Sequence, residues 1–263
     1  MVGKEPKILL VDDDELSRRM MGLLLSEKGY NYDTASNGIE AVNSVQSRSY
    51  DMVLMDLQMP LMDGFDATRK IREWEAEKKH TPIVALTAML FDNEIQRCLN
   101  AGIDECIAKP FDSKTLFQLI DSFVNKPGQP ASTKELQDVG GADATKVLDI
   151  QEALPRFGRD VKVYQDFLND FMDELPGRFE QFQWAFHTGN FSELADSAHN
   201  LKGISGSLGA KRLSYLAQVL DQKSQAGDLS LVKQTLDNIE KHIPVLQAEI
   251  SKKLFASTGN QKS

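Results

Sequence analysis

Cysteine is scarce: Cys98 and Cys106 are the only two in 263 residues. Two thiols in a chain of this length make no disulfide framework, so buried free thiols in a reducing cytoplasm are expected. Long apolar runs are missing as well. The first such run, Ile8-Leu9-Leu10-Val11, is stopped by Asp12-Asp13-Asp14. Neither a signal peptide nor a membrane span is expected there, and no membrane contact by this chain. An excess of basic charge is absent. The net charge is −9, the wrong sign for a nucleic-acid footprint, so no nucleic-acid partner is expected. Glycine-rich phosphate loops are absent too, which removes the usual nucleotide sites. What remains is an ordinary globular composition, 41% hydrophobic and 26% charged, in a length that suits two domains.

Residues 7–124 alternate short apolar runs with amphipathic stretches. Strands are expected at Lys7–Val11, Tyr32–Ala35, Met52–Met55, Ile83–Leu86 and Cys106–Ala108. Helical patterns lie between and after them, at Glu15–Lys28, Gly38–Ser47, Gly64–Glu77, Asn93–Asn100 and Ser113–Val124. Strand followed by helix, repeated, predicts an α/β doubly wound five-stranded parallel sheet over residues 5–125. Residues 126–146 are rich in Gly, Pro and Ser and read as a flexible linker. Residues 147–255 show helical periodicity only, at Ile150–Phe157, Val161–Phe186, Phe191–Leu208, Leu213–Ala226 and Leu229–Leu254. Short turns between long helices predict an all-α antiparallel bundle. Pro176, inside one of the patterns, is expected to kink or restart its helix.

In an open parallel sheet, ligands bind beyond the carboxyl ends of the strands, beside the point where strand order reverses. The polar residues at those ends are Asp12, Asp13 and Asp14, then Asp56, Thr87 and Lys109. Crowded carboxylates need a cation, and hard oxygen donors suit Mg²⁺ or Mn²⁺. The fitting chemistry is attack by the Asp56 carboxylate on phosphorus. The metal would bridge Asp13, Asp56 and a phosphoryl oxygen, while Lys109 and the Thr87 hydroxyl take the other oxygens. Any one such Asp is more often a helix N-cap; the conjunction of all of them at one rim is what points to chemistry.

The stretches Val11-Asp12-Asp13-Asp14, Met55-Asp56-Leu57-Gln58-Met59-Pro60 with Asp63-Gly64, Leu86-Thr87-Ala88 and Lys109-Pro110-Phe111 resemble the signature of response-regulator receiver domains. The resemblance implies phosphorylation at Asp56 and an acidic pair, Asp13 on the metal and Asp12 acting indirectly. It also implies a metal ligand from the Gln58 backbone carbonyl. Thr87 and Ala88 would act at the phosphate-stabilising switch, with Lys109 as the phosphate-pairing cation. The family usually carries an aromatic residue three places before the lysine; this chain has Cys106.

In the helical half, Leu194, Ala198, Leu201, Ser205 and Leu208 fall on one face at about 100° per residue. His199 falls well away from that face. Its helical neighbours Ala195, Lys202, Gly203 and Gly206 are mostly small, which predicts an imidazole open to a docking surface. A glycine inside a helix costs about 1 kcal/mol against alanine, so Gly203 needs a reason, and close approach of another protein is one. Neutral imidazole is a competent nitrogen nucleophile near pH 7. The other histidines, His80, His187 and His242, read as solvated helix or loop residues.

Ala198-His199-Asn200-Leu201-Lys202-Gly203 with Leu208-Gly209-Ala210 resembles the motif of histidine phosphotransfer domains. The resemblance implies that His199 carries a phosphoryl group and that Lys202, Gly203, Ala195 and Gly206 support docking. Together the two resemblances imply a two-component phosphorelay, either stand-alone or the C-terminal part of a hybrid sensor kinase. A sensor histidine kinase and another receiver domain would be its partners. The rival readings are a phosphorylation-independent adaptor and an aspartate-based phosphatase. The phosphatase would want a second carboxylate where Gln58 stands.

Overall fold

A computed structural model describes residues 6–76, 79–87, 92–109, 111, 113–124 and 146–255, the side chains of 92–94, 254 and 255 excepted. The expected linker at 126–146 lies outside these residues but for Lys146, as does Ala88. The chain divides into two compact units, Met1–Asp138 and Val139–Ser263.

In the first unit five parallel strands alternate with helices. The strands are β1 (Lys7–Val11), β2 (Asn31–Ala35), β3 (Met52–Asp56), β4 (Ile83–Thr87) and β5 (Glu105–Ala108). The helices are α1 (Glu15–Glu27), α2 (Gly38–Ser47), α3 (Gly64–Glu75), α4 (Asp92–Ala101) and α5 (Ser113–Val124). Strand order is β2-β1-β3-β4-β5. The order reverses between β1 and β3, so the switch point lies where Asp12 and Asp56 end their strands.

Strand periodicity sorts the core. Leu9, Val11, Val53, Met55, Ile83 and Ala85 join one apolar cluster, with Phe65 of α3 and Cys98 of α4. Ile8, Leu10, Met52, Leu54, Val84 and Leu86 join the other, with Met21 of α1 and Leu116 of α5. Alternate residues thus face opposite layers, and near-continuous apolar runs are what a sheet covered on both faces requires. Cys98 and Cys106 are both buried and neither is in a disulfide, as their scarcity predicts.

The rim at the strand starts is held by one guanidinium. Arg72 donates to the carbonyls of Gly102 and Thr81, each at 2.9 Å. It also pairs with Glu75 at 2.6 Å and Asp104 at 2.7 Å. The chain ends entering β4 and β5 are tied to α3 by these bonds.

The second unit opens with a short helix α6 (Ile150–Ala153) that tightens into a 3-10 turn, Leu154–Phe157. Four long helices follow: α7 (Val161–Thr188), α8 (Phe191–Ser207), α9 (Lys211–Gln225) and α10 (Leu229–Phe255). Helix α7 packs on α8 and α10, α8 on α9, and α9 on α10, an up-and-down ring. Gly189 and Gly209 take left-handed backbone, with φ of 73° and 76°. A side chain at Gly209 would strike the Asp149 carbonyl.

Pro176 does not restart α7, which runs unbroken from Val161 to Thr188. The missing amide costs one hydrogen bond. Leu175 and Phe179 beside it are buried in the core, and that packing carries the helix across the gap. His242 is buried at 8% exposure rather than solvated, because the inner side of α10 packs within the bundle. His80 and His187 are exposed, as expected.

Candidate functional site

The first site is built at the ends of β1, β3, β4 and β5. Asp14 is a helix cap: its Oδ1 accepts the Ser17 amide at 2.8 Å. That leaves Asp12, Asp13 and Asp56. One carboxylate oxygen from each lies within 4.8 Å of the others. Asp12 and Asp56 are almost fully buried. Asp12 Oδ1 accepts the Asp14 amide at 2.9 Å, and Arg18 of α1 donates to the Asp12 carbonyl at 2.5 Å. Gly64 is required here, since a Cβ on it would collide with the Asp56 carbonyl oxygen.

Lys109, just beyond β5, joins the cluster. Its Nζ donates to Asp12 Oδ2 at 2.7 Å and to Asp56 Oδ2 at 2.5 Å. Asp56 Oδ1 accepts the Gln58 amide at 3.1 Å, which puts that peptide at the edge of the site. Thr87 ends β4, is buried, and its carbonyl accepts the Lys109 amide at 2.6 Å. Asp12, Asp13, Asp56, Gln58, Thr87 and Lys109 therefore gather at one rim.

Electrostatics there are strained in a useful direction. Burial pushes the Asp12 carboxyl up to about 7; Lys109 opposes the rise and the Asp56 charge adds to it. Burial also works against the Lys109 charge, but attraction to Asp12 and Asp56 holds the ammonium well above the usual lysine range. Three hard oxygen donors with a surplus of negative charge fit a divalent cation.

The second site is on the bundle. Leu194, Ala198, Leu201, Ser205 and Leu208 are all fully buried, so the core face of α8 is the one its periodicity predicts. His199 is not open, however; it is only 8% exposed. Helix α9 lies alongside and sets Asp221 against the ring, with Nδ1 of His199 3.4 Å from Asp221 Oδ2. Asp221 is itself buried, and its Oδ1 accepts Gln225 Nε2 at 2.6 Å. Ala195 and Gly206 are buried too, and Arg156 donates toward the Gly206 carbonyl at 3.5 Å. The surface near His199 is thus narrower than the helical wheel implies, with Lys202 and Gly203 half-buried at its edge. A Cβ on Gly203 would meet nothing within 4 Å, so nothing inside the chain demands a glycine there.

Asp221 is the functional candidate that the sequence reading missed. Its signal was an acidic residue among Leu213, Leu216, Ala217, Leu220 and Ser224, all on the buried side of α9. A carboxylate in such a stripe requires a partner.

Both halves of the chain match known families. Residues 8–121 match the family model of the response regulator receiver domain, and residues 166–252 that of the Hpt domain. Sensor protein GacS of Pseudomonas syringae pv. syringae is 30% identical over 250 residues, covering 94% of this chain and 28% of that protein. Signal transduction histidine-protein kinase BarA of Escherichia coli K12 is 28% identical over 224 residues, covering 84% of this chain and 24% of that one. This chain therefore spans only about a quarter of the length of these curated relatives. Among solved structures, the receiver domain of sensor histidine kinase PA1611 from Pseudomonas aeruginosa PAO1 is 34% identical. It covers 46% of this chain and 99% of that one, with a TM-score of 0.43. With a buried Asp56 at the switch point of the first unit and a histidine on a helix of the second, residues 8–121 belong with the response regulator receiver domains and residues 166–252 with the Hpt domains, a pairing that supports two-component phosphorelay.

Proposed function

We propose that Asp56 accepts a phosphoryl group and that His199 carries one to or from a receiver domain. The observation that carries this reading is the Lys109 ammonium bridging Asp12 and Asp56 at the switch point. In the first step an Asp56 oxygen attacks phosphorus. The new O–P bond forms as the donor's bond to phosphorus breaks, and the electron pair leaves with the donor. Lys109 moves from Asp56 to a phosphoryl oxygen, and the Thr87 hydroxyl takes another. Mg²⁺ or Mn²⁺, held by Asp13, Asp56 and the Gln58 carbonyl with Asp12 acting indirectly, would supply charge neutralisation.

In the second step an imidazole nitrogen attacks the phosphorus on Asp56. The N–P bond forms, the O–P bond breaks, and the electron pair returns to the carboxylate. With the Nδ1 proton of His199 directed at Asp221, Nε2 keeps the lone pair that attacks. The charge left on the phosphorylated ring is balanced by Asp221. The bundle positions the imidazole, and the catalytic groups are those of the Asp56 pocket. The chain works in the cytoplasm as a carrier, with a sensor histidine kinase as the source of the group, and is not a multiple-turnover phosphatase.

The test is labelling of the full chain by a small phosphoryl donor, followed by residue mapping from acid and alkali lability. An acyl phosphate at Asp56 and, on transfer, a phosphoramidate at His199 are expected. A chain that takes up label at neither residue is an adaptor, and the relay reading fails.

A further inference from the structure

Three carboxylates stand around His199. Helix α8 carries its titratable side chains in the order Glu193, Asp196, His199 and Lys202. Residues three apart on a helix share a face one turn apart, so Asp196 lies one turn before His199 and Lys202 one turn after it. A helical side chain leans toward the N-terminus and lies over the turn before its own Cα. The imidazole therefore leans toward the turn that bears Asp196. Lys202 leans the same way, toward the ring, and is the one cation on α8. The third carboxylate is Asp221 of α9, 3.4 Å from Nδ1 of His199.

The fold has little use for Asp196. Its side chain is exposed, while Leu194, Ala195 and Ala198 around it are buried. The cap of α8 is Asn190, and Asp196 lies beyond the first turn, where the helix dipole favours acids. Nearby protein strips part of its hydration and pushes its carboxyl above the usual carboxylate range; His199 opposes the rise, and the Asp221 and Glu193 charges add to it. These groups thus lie within reach of one another's fields. With Nδ1 facing Asp221, a phosphoryl group on Nε2 would bring up to two further negative charges into the same field.

We propose that Asp196 sets the balance of phosphoryl flow at His199: its charge repels the phosphoryl group on the ring, so the bundle gives that group to a receiver aspartate more readily than it keeps it. This rests on the phosphorelay reading above and adds the residue that biases its direction. As the group leaves, the Nε2–P bond breaks and its electron pair returns to Nε2, while an O–P bond forms on the receiver carboxylate. Asp196 takes part in neither bond and acts through its charge alone.

Two full-length chains test this. One carries His199→Gln and is loaded on Asp56 with acetyl phosphate and Mg²⁺, then freed of the small donor. The other carries Asp56→Asn and accepts on His199. Rate constants are measured for transfer onto His199 and, from the isolated phosphohistidine, back onto Asp56; their ratio is the equilibrium constant. Asp196→Asn in the acceptor should move that ratio toward phosphohistidine about threefold at low salt, and Asp196→Lys about tenfold. Asp196→Glu keeps the charge and should stay near the parent. Raising salt from about 0.05 M to about 1 M should erase most of the difference, because the charge is exposed. A ratio that neither Asp196→Asn nor Asp196→Lys moves toward phosphohistidine overturns the proposal and leaves the relay reading standing. So does a shift that Asp196→Glu reproduces or that salt leaves intact, because shape and not charge then causes it. A parent pair that forms no phosphohistidine overturns the relay reading, and the proposal with it.

Discussion

Nδ1 of His199 lies 3.4 Å from Oδ2 of Asp221, two side chains brought together by the packing of α8 on α9. Asp221→Ala is expected to slow phosphorylation of His199 by about tenfold, because the ring loses both its orienting acceptor and its counter-charge. Asp221→Asn keeps an acceptor and should lose less. Rates of transfer from a phosphorylated receiver decide this; an alanine variant as fast as the parent would show that the carboxylate plays no part.

His199→Gln is expected to keep the helical fold, end phosphohistidine formation, and cost roughly 1 kcal/mol. The cost follows from burial, since the ring is only 8% exposed and faces a buried carboxylate. Urea unfolding followed by circular dichroism checks it. A stability unchanged within error would mean that the ring opens to solvent in solution.

Asp56→Asn is expected to abolish the acyl-phosphate signal of the chain, and excess chelator to abolish it in the parent. Both follow from the three carboxylates gathered at one rim and from their need for a cation during phosphoryl transfer. Equal acyl-phosphate yield in the variant, or undiminished labelling in chelator, would relocate the chemistry.

The fourth prediction concerns pH. Burial raises the Asp12 carboxyl from 3.8 to about 7. A group raised in this way stabilises the fold below its unfolded pKa, and that contribution is lost as pH rises through the folded value. In chelator, Asp12→Asn should therefore melt about 5 °C above the parent at pH 8. The gap should close as pH falls through about 7 and be gone below 3.8, where the parent's carboxyl becomes protonated in both states. A gap that widens on acidification would contradict the burial argument.

Much of this was legible in the sequence because period is visible one residue at a time. The apolar runs of β1, β3 and β4 each split cleanly between the two faces of the sheet, and the strand-end acids fell on the rim that topology assigns to ligands. What could not be read was anything set by a neighbour in space. His199 projects from its own helix toward what looked like solvent, and only the position of α9 reveals Asp221. Ala195 and Gly206 are likewise buried, with Arg156 of the 3-10 turn donating toward the Gly206 carbonyl. Pro176 suggested a kink or a restart, and α7 does not restart there, with Leu175 and Phe179 beside it buried. The left-handed backbone of Leu61, with φ of 69°, gave no warning, since the segment Met59-Pro60-Leu61-Met62 holds none of the glycine or asparagine that normally marks such a turn.

The Arg72 network gives the sheet two ends of unequal stiffness. At the strand starts, three bonds from one guanidinium clamp α3 to the segments entering β4 and β5. At the strand ends, Lys109 just beyond β5 is shared between two carboxylates. A charge added at Asp56 therefore acts against a fixed base. Any displacement would be taken up at the strand ends, as in a lever clamped at one side, and the amides of Thr81 and Ile83 should stay protected from exchange while those of Gln58 and Lys109 respond.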